Sequence, residues 1–251
     1  MYHLKISDRI ATIAAVGLLY CGVSAASTIL FSGSQDGRSA SVEFNYTSDN
    51  QLMLTIQNLA PGSIVSSADL LTGVYFSLSN PTPVTLTPES GALAPTSTFL
   101  NGTAPLNVGG NWGYAVFASE YNTTTQGVSA TGMGAGFFGD GNFGCVGAGC
   151  KHLNGADYGL APALYPADAN PALSRTPVIQ SGVTLTFSNV SSQPLVQNVW
   201  FQYGSALGDG GFYGTPDEPL PGPVPEPGAI VLTSIGLACV GIGMRYRRNR
   251  A

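Results

Sequence analysis

Ser41-Val42-Glu43-Phe44-Asn45-Tyr46 carries an apolar residue at every second position, and Leu52-Met53-Leu54-Thr55-Ile56 repeats the pattern shortly afterwards. In an extended chain successive side chains point to opposite faces, so Val42, Phe44 and Tyr46 share one face, as do Leu52, Leu54 and Ile56. Val183-Thr184-Leu185-Thr186-Phe187 alternates in the same way. Gly73-Val74-Tyr75-Phe76-Ser77-Leu78, Gly113-Tyr114-Ala115-Val116-Phe117 and the run from Val196 to Tyr203 continue the series. Clusters such as Ser79-Asn80-Pro81-Thr82-Pro83 punctuate it, and no window keeps a helical period. The pattern predicts an all-β domain, an antiparallel β-sandwich with jelly-roll-like and immunoglobulin-like strand orders both open.

Leu52 to Leu59 and Val183 to Val190 echo one another, each leading to a Val-aromatic-aromatic strand, Val74-Tyr75-Phe76 and Val199-Trp200-Phe201. Duplication would write these letters. So would two amphipathic strands that each run into an Asn turn, which is the simpler reading.

Composition fits a turn-rich chain. Of 251 residues only 9% are charged, while Gly (33) and Pro (17) are abundant. Between Ser27 and Val224 three basic residues, Arg38, Lys151 and Arg175, stand against twelve acidic ones, a net −9. Nucleic acid is excluded as a partner, because phosphate binding needs clustered Lys or Arg.

Both ends of the chain read as addresses. Residues 1–26 hold Lys5 and Arg9, an apolar run from Ile10 to Val23, and Ser24-Ala25-Ala26, the order of a signal peptide cleaved by signal peptidase after Ala25 or Ala26. A permanent anchor is the alternative, but the run is short for a span of about 20 residues. Cys21 follows Tyr20, where a lipoprotein needs a small residue, and is read as filler. The domain is expected over 27–215, followed by a Pro-rich tether over 216–227. Residues 228–244 lack charge and as a helix would cover roughly 25 Å at 1.5 Å per residue, just enough to span. Arg245, Arg247, Arg248 and Arg250 in the tail 245–251 hold that end in the cytoplasm, so the domain lies outside. Prolines 219, 221, 223, 225 and 227 exclude helix and central strand from the tether.

Val224-Pro225-Glu226-Pro227, an apolar span and an Arg cluster in that order resemble the PEP-CTERM sorting signal of Gram-negative bacteria, over about the last thirty residues. A single-pass anchor on a proline stalk is the plainer reading of the same letters. Leu220-Pro221-Gly222 lacks the threonine of a sortase signal, and a eukaryotic lipid-anchor signal would not end in arginines. The resemblance implies that an exosortase in the inner membrane recognises Pro225, Glu226 and Pro227 and that the span and arginines are removed. The protein would occupy the inner membrane transiently as a precursor and then reach the cell surface or the extracellular matrix, among bacteria that make exopolysaccharide and biofilm. Glu226, the sole charge between Glu218 and Arg245, is the natural specificity handle.

The segment from Thr125 to Gly159 is dense in glycine and predicts a long surface loop or an elaborate hairpin connection. Cys145 and Cys150 lie in it, the only cysteines between the two terminal segments, and outside the cytoplasm they read as a local disulfide. A metal site with His152 is the rival, but two thiols and one imidazole have the wrong spacing for zinc. Gly139-Asp140-Gly141-Asn142 and Gly208-Asp209-Gly210 could offer oxygens to calcium; glycine turns explain the same letters, and no cofactor is expected. Sequons at Asn45, Asn101, Asn122 and Asn189 carry no weight in a bacterial host.

His152 is the one histidine after the leader, in a pliant segment, and no carboxylates are paired by spacing, so an enzyme is not expected. The reading is a non-catalytic structural or interaction protein of the surface or matrix. The alternative is a carbohydrate binder that stacks Trp112 or Trp200, or the rings of Tyr114, Tyr203 or Tyr213, on exopolysaccharide.

Overall fold

The structure is a computed structural model and describes residues 27–62, 66–80, 82–101, 108–133, 137–144, 152–153, 155–164 and 176–217. The expected signal peptide, Cys145, Cys150, the Val224-Pro225-Glu226-Pro227 motif, the expected span and the four arginines lie outside the described residues. Among the described residues no helix is long and apolar enough to cross a membrane.

The chain is all-β. In order the strands are β1 (Ser27–Gln35), β2 (Arg38–Tyr46), β3 (Leu52–Asn58), β4 (Leu71–Asn80), β5 (Thr82–Pro83), β6 (Thr87–Leu93), β7 (Thr98–Leu100) and β8 (Gly113–Tyr121). They continue with β9 (Thr124–Ser129), β10 (Leu160–Ala161), β11 (Val178–Gln180), β12 (Gly182–Ser188), β13 (Leu195–Tyr203), β14 (Gly211–Tyr213) and β15 (Thr215–Pro216). One sheet runs β15-β1-β2-β3-β12-β6. The other runs β14-β13-β4-β10-β11-β7, with β9 paired to β4 and to β8. All pairings are antiparallel except β10 with β11, which is parallel.

The alternating stretches make the inner face of the first sheet. Register sets Val42 beside Ile56 and Ile56 beside Val183; Phe44, Leu54 and Leu185 form the next row, and Tyr46, Leu52 and Phe187 the third. All nine side chains are buried. At about 1.5–3 kcal/mol for each large apolar side chain removed from water, this grid is a main source of stability. The facing sheet contributes Val74, Phe76 and Leu78 of β4 with Val196, Val199, Phe201 and Tyr203 of β13 to the same core. Phe44 meets Phe76 edge to face across the gap, 5.3 Å between centroids at 82°.

The two echoing segments are neighbours: β3 pairs with β12, and the strands that follow them, β4 and β13, also pair. Asp36-Gly37 closes β1 on β2 with both residues at positive φ, 52° and 79°, the geometry of a two-residue hairpin turn. Asn122 and Thr123 do the same between β8 and β9, at 47° and 58°.

The Thr125–Gly159 segment departs from expectation. Its start belongs to β9, hydrogen-bonded on both sides, and Met133, Phe138, Phe143 and Leu153 are buried. The glycines explain this. A Cβ on Gly109 would sit 2.0 Å from the Phe143 carbonyl oxygen, on Gly132 2.1 Å from that of Leu153, and on Gly141 2.1 Å from that of Gly110. Glycine here lets backbone lie on backbone, so the segment packs as a cap instead of a loose loop.

The domain also extends slightly past 215. Pro216 pairs with Phe31, the Asp217 amide donates to the Leu30 carbonyl, and Ser32 Oγ donates to the Asp217 carboxylate.

Candidate functional site

Val74 and Phe76 of β4 face the core, so Tyr75 between them faces out. On β13 a bulge between Gln197 and Trp200, with Asn198 at φ 52°, shifts the alternation so that Val199 and Phe201 point in and Trp200 points out beside Tyr75. Bulges of this kind re-aim side chains. The register then sets one residue from each of five adjacent strands in a line, Tyr213, Trp200, Tyr75, Gly127 and Ala115. At about 4.8 Å per strand the row is roughly 19 Å long.

The two halves of the row differ. Tyr75 lies over Gly127, where a Cβ would meet its ring at 2.5 Å, and Phe117, Tyr121, Phe137 and Phe138 surround it with centroids between 5.5 and 6.5 Å. This is a second, smaller core outside the sheet. The Tyr75 hydroxyl is buried without a hydrogen-bond partner, and burial, with Tyr121 adding to it, pushes its pKa far above the usual phenol value.

The Trp200 half is open. Its indole lies over Gly211, where a Cβ would come within 2.8 Å of the ring, and meets Tyr213 edge on at 4.9 Å and 78°. Trp200 Nε1 donates to Gln202 Oε1 at 3.1 Å. The buried Gln202 amide in turn reaches the carbonyls of Tyr203 and Gly210, at 2.8 and 3.0 Å. Trp200 is half-buried, and Tyr213 is 50% exposed.

The other rings named from the sequence are placed differently. Trp112 is fully buried beside the turn Val108–Asn111, so neither ring face is offered to a sugar, and its indole N–H is without a partner. Tyr203 is buried too, its hydroxyl donating to the Ser39 carbonyl and its ring under the Arg38 guanidinium. Tyr114 is half-buried: its hydroxyl donates to Gln126 Oε1 at 2.8 Å and accepts from the Leu86 amide at 3.0 Å, and burial pushes its pKa up to about 12. Of the sugar-stacking candidates, Tyr213 is the most exposed, Trp200 and Tyr114 are half-buried, and the Tyr114 hydroxyl is already held on both sides.

His152 Nδ1 lies 2.5 Å from Asp140 Oδ1 across an isolated antiparallel bridge between the two residues. The imidazole is 91% exposed, with Asn111, Asp157 and Tyr158 lining the same shallow cavity of about 220 Å³. Asn142 does not point its amide at an ion, since the amide holds the Tyr114 backbone, accepting from its N–H and donating to its carbonyl, both at 3.0 Å. Asp209 accepts from the amides of Ser205 and Ala206. Asp140 thus sits on a bridge and Asp209 ends the 3-10 helix Leu207–Asp209, and among the described residues no cluster of three or more His, Cys, Asp or Glu could hold a metal. Three sequon asparagines, Asn101, Asn122 and Asn189, occupy positive-φ positions, at 59°, 47° and 58°, which accounts for their identity without glycosylation.

Comparison with family models, with curated proteins and with solved structures finds no match to this chain.

Proposed function

We propose that this chain is an exported, non-catalytic protein of the bacterial surface or extracellular matrix, delivered through a PEP-CTERM signal by exosortase. The observation that carries the reading is the order at the carboxyl end: Val224-Pro225-Glu226-Pro227, an apolar run, then Arg245, Arg247, Arg248 and Arg250. Residues 228–244 are read as the span and the arginines as its cytoplasmic stop. Cys145 and Cys150 are read as a disulfide, formed once the domain is outside the cytoplasm.

Two features of the domain support this reading. Strand pairing and backbone hydrogen bonds run to Asp217, directly before the proline series, so the tether begins where the sheets end. The outer face of the first sheet is mostly hydroxyls and amides, with Thr55 beside Thr184 and Met53 beside Thr186 in the register, and its charges, Glu43, Glu89 and Asp217, are all acidic. We read the architecture as a sandwich of jelly-roll-like order, because consecutive strands change sheets at β3 to β4, β6 to β7, β11 to β12 and β12 to β13.

Glu226→Ala should hold the unprocessed chain in the inner membrane. Fractionation with detection of the domain checks this: accumulation of full-length precursor is expected, and normal release would overturn the sorting assignment.

A second reading, a carbohydrate-binding protein of the exopolysaccharide matrix, is favoured by the Trp200 and Tyr213 pair, two rings held on a sheet surface with solvent-facing area.

A further inference from the structure

We infer that the Trp200–Tyr213 end of the cross-strand row binds a neutral polysaccharide; this rests on the second reading above and assigns it a place and a ligand class. Three features of the surface lead to it.

The first is charge. The row itself, Tyr213 to Ala115, holds no ionisable side chain except its phenols. The row on one side runs Gly211, Gln202, Gly73 and Ser129, and on the other side Gln197 pairs with Ser77. Gln202, Gly73 and Ser129 of the first flank are buried, so the exposed flank is the one with Gln197 and Ser77, a neutral amide and a hydroxyl. A polyanion such as a polyuronate or a nucleic acid needs cations that this surface lacks. A pyranose presents C–H groups on its faces and hydroxyls at its edge. It matches a ring platform edged by Gln197 and Asn198, both exposed.

The second is rigidity. Surface tryptophans ordinarily lose rotamer freedom on binding, which weakens association. Trp200 has already lost it: Gly211 lies beneath the indole, Tyr213 stands at its edge, and Gln202 fixes its N–H from within the sheet. Asn198, at the bulge that turns Trp200 outward, is itself tied down, its Nδ2 donating to the Thr123 carbonyl at 3.1 Å. The ring is therefore presented in one orientation.

The third is size. Trp and Tyr side chains bury about 150–250 Å² each, so two partly exposed rings offer well under the ~800 Å² per partner of a stable protein interface. Tyr75, the third ring of the row, is buried in its own cluster, and Trp200 packs against one side of that cluster, which reduces the open area further. The open area suits a ligand gripped by a few stacked rings, as a glycan chain is.

The test uses the full-length chain in a sugar-free detergent, titrated with a soluble β-glucan, a mannan, a galactan and, as the charged comparison, a polyuronate. Binding is read by calorimetry and by tryptophan fluorescence, with Trp112→Phe isolating the Trp200 signal. At least one neutral polysaccharide should bind and change Trp200 emission, and Trp200→Ala should weaken it by about tenfold or more. Tyr213→Ala should weaken it less, and Trp200→Phe should retain part of the affinity. Circular dichroism shows whether each variant folds; if Trp200→Ala does not, Tyr213→Ala and the fluorescence change decide. Neutral binding unaltered by Tyr213→Ala and silent in Trp200 emission would move the site elsewhere while leaving the carbohydrate reading intact. Preference for the polyuronate would overturn the neutral-ligand assignment while leaving the carbohydrate reading intact, and binding of no polysaccharide at all would overturn both. Loss of self-association in Trp200→Ala without glycan binding would make this a contact between copies of the chain.

Discussion

Gly109 and Gly139 look alike in the sequence and differ completely in the fold. A methyl group on Gly109 would collide with the Phe143 backbone, whereas one on Gly139 meets nothing within 4 Å. Gly109→Ala should therefore destabilise the domain by about 1–3 kcal/mol, and Gly139→Ala should be neutral within about 0.5 kcal/mol. Urea denaturation of the two variants checks this, and equal effects would show that the cap is not packed as described. The tyrosines give a second residue-level expectation. Tyr75, Tyr114 and Tyr203 are buried, and each has its pKa raised above the ordinary phenol value of 10.0, desolvation being the largest cause. A raised folded-state pKa favours the protonated form in the native state, so the contribution is fully present below the unfolded pKa and is lost as pH rises through the folded one. Stability should be unaffected by these groups up to about pH 10 and fall beyond it, through about 12 for Tyr114. Denaturant midpoints between pH 8 and 11.5 test the trend, and Tyr114→Phe should flatten the slope above pH 10 by about 1.4 kcal/mol per pH unit. An unchanged slope would mean that Tyr114 is open to solvent.

At the scale of the element, period-two alternation was enough to identify β2, β3 and β12, because each has one face in the core, whereas β4 is buried on both faces and the alternation of β13 is broken by its bulge. It failed for β9. Thr124-Thr125-Gln126-Gly127-Val128-Ser129 shows no alternation, since Gln126 and Ser129 are buried polar residues held by hydrogen bonds, to the Val84 carbonyl and the Thr72 carbonyl, and Gly127 leaves room for Tyr75. Such a strand is written by its neighbours and not by its own pattern. The β1 hairpin, in contrast, had a readable mark in Asp36-Gly37, a pair suited to two positive φ angles, that alternation alone passes over. The candidate site was legible only in part. Trp200 could be named from its strand, but its outward aim depends on a one-residue bulge at Asn198 that no spacing announces. Trp112, named from the sequence as a sugar-stacking candidate, is instead core, its carbonyl accepting from the Asn142 amide of the glycine-rich segment.

For the whole molecule, the strands and the stretches proposed as sorting signals lie in different parts of the chain. The sheets close between Ser27 and Asp217, and β15 returns beside β1 so that Asp217 bonds to Leu30, three positions from the first strand residue. Both terminal segments therefore join the domain close to one another, at the β1–β15 edge. A domain made at the membrane could hang from a leader and a tail without its sheets being pulled apart, and removing either segment would leave every strand pairing in place. Mass spectrometry of protein harvested from the cell exterior tests the proposed sorting most directly. The account predicts an amino terminus at Ala26 or Ser27 and a carboxyl terminus that precedes Arg245; intact ends bearing Arg245 to Arg250 on that material would contradict it.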